Sequence, residues 1–165
     1  MQAIAIFKQG LDKCKDTEDR KRIMFALGSA QERHGLFEDA VNTFQELIAI
    51  DPKHGPALNY LGYMLADKGV QLNYALELLE RAMALSPDNG AYLDSYAWVQ
   101  YKLGKLDLAL SELKKAVVLM GNDATIYEHL GDVYKAMGNA SEADSNYRRA
   151  LEISPDNPAV EEKLK

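Results

Sequence analysis

An all-α array of stacked, antiparallel helical hairpins is the fold this sequence predicts, on three observations. A period of about 34 residues runs through most of the chain, apolar residues inside each period recur at three- and four-residue steps, and strand-type alternation is absent. Glycine and alanine carry the period. Gly35, Gly69, Gly104 and Gly138 lie 34, 35 and 34 residues apart, while Ala40, Ala75, Ala109 and Ala143 lie 35, 34 and 34 apart. The single extra residue therefore falls within Val70-Gln71-Leu72-Asn73-Tyr74. Phe44, Leu79, Leu113 and Tyr147 keep the same step, as do Leu47, Ala82, Ala116 and Ala150, and then Pro52, Pro87, Gly121 and Pro155.

Each element has its own reason. Residues 2–14, with Ala3, Phe7 and Gly10, have the spacing of the second helix of a pair. They read either as a cap on the first full unit or as a half-repeat whose Ile4, Ile6, Phe7 and Leu11 surface meets a further helix. Thr17-Glu18-Asp19 reads as the linker that follows. Units 21–54, 55–89, 90–123 and 124–157 then each predict a hairpin of two amphipathic helices, as in Met24, Leu27 and Gly28 followed by Ala40, Phe44 and Leu47. Gly35, Gly69, Gly104 and Gly138 end the first helix of each pair, because glycine accepts a left-handed backbone at no steric cost. Asp51-Pro52, Ser86-Pro87-Asp88 and Ser154-Pro155-Asp156 stop the second helix, since proline forces the residue before it out of helical geometry. Residues 158–165 read as a short closing helix with Ala159, Val160 and Leu164 inward and Glu161, Glu162, Lys163 and Lys165 outward. The whole, 1–165, reads as a single domain.

Composition narrows the function. With 165 residues and 47% hydrophobic content the chain needs neither metal nor disulfide to fold, and its one cysteine, Cys14, forms no internal disulfide. That usage fits a cytoplasmic location and equally a periplasmic or cell-envelope one. A formal net charge of −6 argues against nucleic acid as a partner and favours a basic one. The longest clean apolar run, Ala116-Val117-Val118-Leu119-Met120, falls far short of a membrane span, so direct membrane insertion is not expected, and the first residues lack the basic front of a signal peptide.

The residues also carry a resemblance. Tyr127, Leu130, Gly131, Tyr134, Ala143, Tyr147 and Pro155 meet nearly the whole pattern of a tetratricopeptide repeat, which unit 124–157 resembles closely. Unit 21–54 matches through Leu27, Gly28, Ala40, Phe44 and Pro52, and unit 55–89 through Leu61, Gly62, Ala75, Leu79, Ala82 and Pro87. Unit 90–123 departs most, with Ala97 where glycine is usual and Gly121 where proline is usual. Leu58-Asn59-Tyr60-Leu61-Gly62-Tyr63 and Ser95-Tyr96-Ala97-Trp98 are similar to bacterial members, some of which work at the cell envelope. The resemblance implies a right-handed α-solenoid whose first helices line a concave groove, and a non-enzymatic scaffold that binds a peptide or helix of a partner there. The implied groove positions are Phe25, Ser29, Glu32 and Arg33, then Asn59, Tyr63, Ala66 and Asp67, then Asp94, Trp98, Tyr101 and Lys102, and last Glu128, Asp132, Lys135 and Ala136.

In that set Tyr63, Trp98 and Tyr101 are the expected anchors, because such rings bury much area for little lost rotamer freedom. Asn59, Asp94 and Asp132 are the expected orienting contacts. Asp67, Asp94, Glu128 and Asp132 outnumber Lys102 and Lys135, which suits a partner with basic and large apolar side chains. Packing of Trp98 between hairpins is the competing reading. The carboxylate clamp of some relatives is not present, since Phe25, Ser29, Ala91 and Ser95 stand where it needs lysine, asparagine and arginine. A structural segment of a larger or self-associating assembly, joined through the N-terminal helix, is the alternative function.

Chemistry is thin by comparison. His34, His54 and His129 fall at different places in the repeat, and none lies four residues from another histidine as a zinc-binding helix requires. Glu128, His129 and Asp132 read as an ordinary surface cluster. Cys14 has neither a nearby histidine nor a CxxC partner. No catalytic residue, metal or cofactor is expected.

Overall fold

The computed structural model describes residues 2–165, which form ten helices and, among the described residues, no strand. They are α1 (Gln2–Lys13), α2 (Thr17–Arg33), α3 (Phe37–Ile50), α4 (Gly55–Lys68), α5 (Leu72–Leu85), α6 (Gly90–Lys102), α7 (Leu106–Leu119), α8 (Ala124–Ala136), α9 (Ala140–Ile153) and α10 (Pro158–Lys163). Two compact units divide the chain, one ending at Leu61 and the other starting at Gly62. No described helix is long and apolar enough to cross a membrane.

The four glycine stops share one geometry. Gly35, Gly69, Gly104 and Gly138 have φ between 72° and 82°. The N–H of the following residue closes on a carbonyl of the ending helix, as Leu36 does on Gln31 and Lys105 on Gln100, both at 2.9 Å. After three of the stops a single residue, Leu36, Lys105 or Asn139, separates the glycine from the next helix. After Gly69 there are two, and the second, Gln71, takes a left-handed backbone at φ 49°. That is where the extra residue of the period sits.

In the first unit α1 packs on α2 and α2 on α3. Ile4 is buried against Leu27 and Ala30, with Phe7, Leu11 and Leu36 around them, so of the four apolar residues expected on a free edge of α1 only Ile6 stays outward, at 59% exposure. The helix therefore spends that surface on α2. A second departure lies at Thr17–Asp19, which begins α2 and is not a linker. The Asp16 carboxylate accepts from the Asp19 N–H at 2.9 Å, and Glu18 and Asp19 then lie at the positive end of the helix dipole. The Lys21 ammonium reaches Asp51 at 2.9 Å, tying α2 to the turn after α3 and holding the Asp51 carboxyl below its ordinary pKa.

In the second unit α5 packs on α6, α6 on α7 and α8, α7 on α8, α8 on α9 and α9 on α10. Leu93, Ala97, Leu113, Ile126, Leu130 and Val133 make its main core, where each fully buried leucine contributes about 2 kcal/mol. Small residues on first helices receive large ones from second helices: a Cβ at Gly62 would overlap Leu79, one at Gly131 would overlap the Tyr147 ring, and in the first unit one at Gly28 would overlap Phe44. Ala97 takes the same place opposite the smaller Leu113. The exit from α7 closes as the others do, Met120 donating to the Ala116 carbonyl at 2.8 Å, so Gly121 substitutes for proline without altering the turn.

Candidate functional site

Three of the expected contact residues belong to the first unit. Phe25, on α2, is half-buried in a group of rings, edge-on to Phe44 at 5.7 Å and to Tyr60 at 5.8 Å, with His54 5.7 Å away. Ser29 is buried and its hydroxyl donates to the Phe25 carbonyl of its own helix at 3.0 Å. Asn59, on α4, is half-buried, and its Oδ1 is buried with no hydrogen-bond partner.

The second unit gathers most of the rest on α4, α6 and α8. Trp98 lies stacked on His129, centroids 4.1 Å apart with planes 17° apart, and on Tyr101 at 4.8 Å and 20°. Tyr63 extends the row, its ring 6.2 Å from that of His129. The Lys102 ammonium sits 4.8 Å from the indole centroid and donates to the Asp67 carbonyl. Trp98 is only 7% exposed and its Nε1–H is buried without a partner, so it is packed between helices more than it is displayed. Tyr63 and Tyr101 are the half-buried rings of the row. Burial first, and then the Asp132 charge, push the Tyr101 phenol above its ordinary pKa.

His129 is the residue that the sequence reading misplaced. Far from belonging to a surface cluster it is 4% exposed, and its Nδ1 lies 2.8 Å from Oδ1 of Asp94, itself 7% exposed. The carboxylate accepts, so Nδ1 carries the proton and the ring is fixed against Trp98. Asp94 thereby orients the row and not a ligand. Among the described residues no group of three metal-ligating side chains converges.

The acidic residues of α8 are also occupied. Lys163, expected outward, turns in from α10 and donates to Glu128 at 2.8 Å and to Asp132 at 2.7 Å. Burial opposes its charge, but those two hydrogen bonds prevail and hold its pKa above the lysine value. The Tyr147 hydroxyl donates to Asp132 at 2.8 Å, and Asn157 approaches Glu128 at 3.5 Å. Lys135 is exposed, and its ammonium donates to the Lys163 carbonyl.

One regularity connects these contacts. Phe25 with Tyr60, Asp94 with His129 and Glu128 with Lys163 are each separated by 35 residues, one more than the repeat. Each pair joins a first-helix position to its neighbour on the next first helix, and Lys163 of α10 takes the place that His129 takes on α8. The period was visible in the sequence, whereas the offset of one belongs to the packing.

The comparisons with known proteins agree with this arrangement. Models described as tetratricopeptide repeat match residues 2–69 and 124–157, and one described as TPR repeat matches 99–138. The chain is a tetratricopeptide-repeat protein. A TPR repeat-containing protein of Pseudomonas aeruginosa is 41% identical over 86 residues, which are 52% of this chain and 14% of that protein, so the chain spans a small part of its relative's length. A thermophilic TPR protein of Thermus thermophilus, TTC0263, aligns over 98% of this chain and 86% of its own with a TM-score of 0.80 at 24% identity. YrrB, a TPR protein with an unusual peptide-binding site, aligns over 98% and 81% with a TM-score of 0.68 at 20% identity. These likenesses show the fold, the helical-hairpin solenoid of the tetratricopeptide class. Proteins of this family are in general protein-interaction scaffolds.

Proposed function

We propose that this tetratricopeptide-repeat chain is a non-enzymatic docking module that binds a peptide or helix of a partner protein on the face of its first helices. The observation that carries the reading is the row Tyr63, His129, Trp98 and Tyr101, which crosses α4, α6 and α8 and is locked by the buried Asp94–His129 bond. Rings already held in place lose little freedom on binding, so two anchors suffice for micromolar affinity, about 8 kcal/mol. Tyr63 and Tyr101 are the anchors in contact with the partner, and Trp98 with His129 forms the support behind them. The exposed carboxylate of Asp67 beside the row favours a partner that brings a basic side chain with its large apolar one. The peptide-binding site of YrrB supports docking of this general kind.

The test is a random peptide-display library panned against the whole chain, with the selected peptides measured by calorimetry. Saturable binders with dissociation constants near micromolar are expected, and Tyr63→Ala and Tyr101→Ala weaken them about tenfold or more while far-UV circular dichroism stays unchanged. Binders indifferent to both tyrosines, or no saturable binder, would sink the proposal.

A further inference from the structure

We infer that the seat filled by α10 is a docking site for a partner helix carrying an arginine or lysine three residues after a small or β-branched apolar residue, and that α10 is its displaceable occupant. This rests on the docking reading above and names a partner chemistry for one end of the same face. The seat has two halves. Ala143, Tyr147 and Ala150, flanked by Ala124, Tyr127, Tyr134 and Leu151, make an apolar hollow that Val160 fills completely. One helical turn away, the Glu128 and Asp132 carboxylates converge on a single ammonium, with the Tyr147 ring centroid 5.6 Å from the same nitrogen. Val160 and Lys163 stand three residues apart and reach both halves from one helix face.

Charge and length both make this occupant replaceable. Two carboxylates face one cation, so a full negative charge is left at the seat when Lys163 is in place. A guanidinium presents five donors in a planar fork and stacks well on a phenol ring, so an arginine at the Lys163 position satisfies both carboxylates better than the ammonium does. The occupant is a helix of six residues with one buried side chain, Val160, well below the length at which a helix persists alone. Its amides therefore open locally at far less cost than those of α9, and a partner in trans competes for a seat that is empty part of the time.

The probes are two fluorescein-labelled peptides spanning residues 154–165, one with Lys163→Arg and one with Lys163→Glu, titrated by fluorescence anisotropy into the full chain. The full chain is used as the wild type and as Val160→Asp/Lys163→Glu, which frees the seat without altering α8 or α9. The arginine peptide is expected to bind the freed chain at least tenfold more tightly than the wild type, and the glutamate peptide to bind neither. Adding Glu128→Gln and Asp132→Asn, which keep the side-chain shapes, is expected to cut that capture at least tenfold. In the wild type, hydrogen exchange is expected to find the Val160 and Leu164 amides at least a hundredfold less protected than those of α9. Equal affinity for wild-type and freed chains, equal binding of both peptides, or protection of α10 equal to that of α9 overturns the inference. So does a freed chain that dimerises without peptide in light scattering, since the occupant would then be a second copy. A library-selected ligand that still needs Tyr63 and Tyr101 in the freed chain separates failure of this seat from failure of the docking function.

Discussion

Gln71 is where the chain absorbs the one residue that breaks its period, and it does so at a backbone angle that a side chain resists. Its φ of 49° is the one positive value among the described non-glycine residues. The left-handed conformation costs an L-residue about 1–2 kcal/mol, and glycine avoids it while giving back about 0.5–1 kcal/mol to the freer unfolded chain. Gln71 is exposed and its side chain makes no capping hydrogen bond, so little else is lost on replacement. Gln71→Gly should therefore stabilise the fold by about 0.5–1 kcal/mol and raise the melting temperature by about 1–4 °C. Deleting Gln71 restores the single-residue junction found after Gly35, Gly104 and Gly138, and should also be tolerated. A lower melting temperature for Gln71→Gly, followed by circular dichroism, would show that the angle is not strained.

At the level of the element, α10 is held by groups that titrate in alkali. The Tyr147 hydroxyl, pushed well above its ordinary pKa by burial and then by its bond to Asp132, donates from the neutral form. Lys163 holds its proton more tightly than a free lysine and donates from the charged form. Both groups have a higher pKa folded than unfolded, so their contribution is complete below the unfolded values near 10 and is lost as pH climbs through the folded ones. Between pH 9 and 11 the wild type should lose a few degrees of melting temperature, corresponding to about 1 kcal/mol, that Lys163→Met/Tyr147→Phe does not lose. Parallel profiles for the two proteins would remove Lys163 and Tyr147 as the fastening of α10. The pairing is local to the C-terminal hairpin, and no other helix depends on it.

Across the whole molecule, what the sequence made legible was whatever depends on neighbours in the chain. The glycine stops, the proline stops and the fit of a large side chain over a glycine all repeat with the period, so Gly131 against Tyr147 was implied by their shared columns. What stayed hidden was set by partners one residue beyond the period. Asp94 with His129 and Lys163 with Glu128 look like unrelated surface charges until two first helices are laid side by side. Asp16 hid the true start of α2 for a simpler reason, since its side chain caps the helix three residues ahead of where the apolar pattern begins. A fold built from such neighbour contacts should also come apart by neighbours. Gly131→Ala places a methyl group where the Tyr147 ring lies, forcing the ring out, breaking its bond to Asp132 and opening the hollow around Val160. The cost should be about 2–3 kcal/mol. In hydrogen exchange that cost should appear as a loss of protection of roughly thirty- to a hundredfold in α8, α9 and α10, with amides of α2 and α3 changed by less than about threefold. An equal loss in every helix would mean that the chain unfolds as one cooperative body, and stability could then not be assigned repeat by repeat.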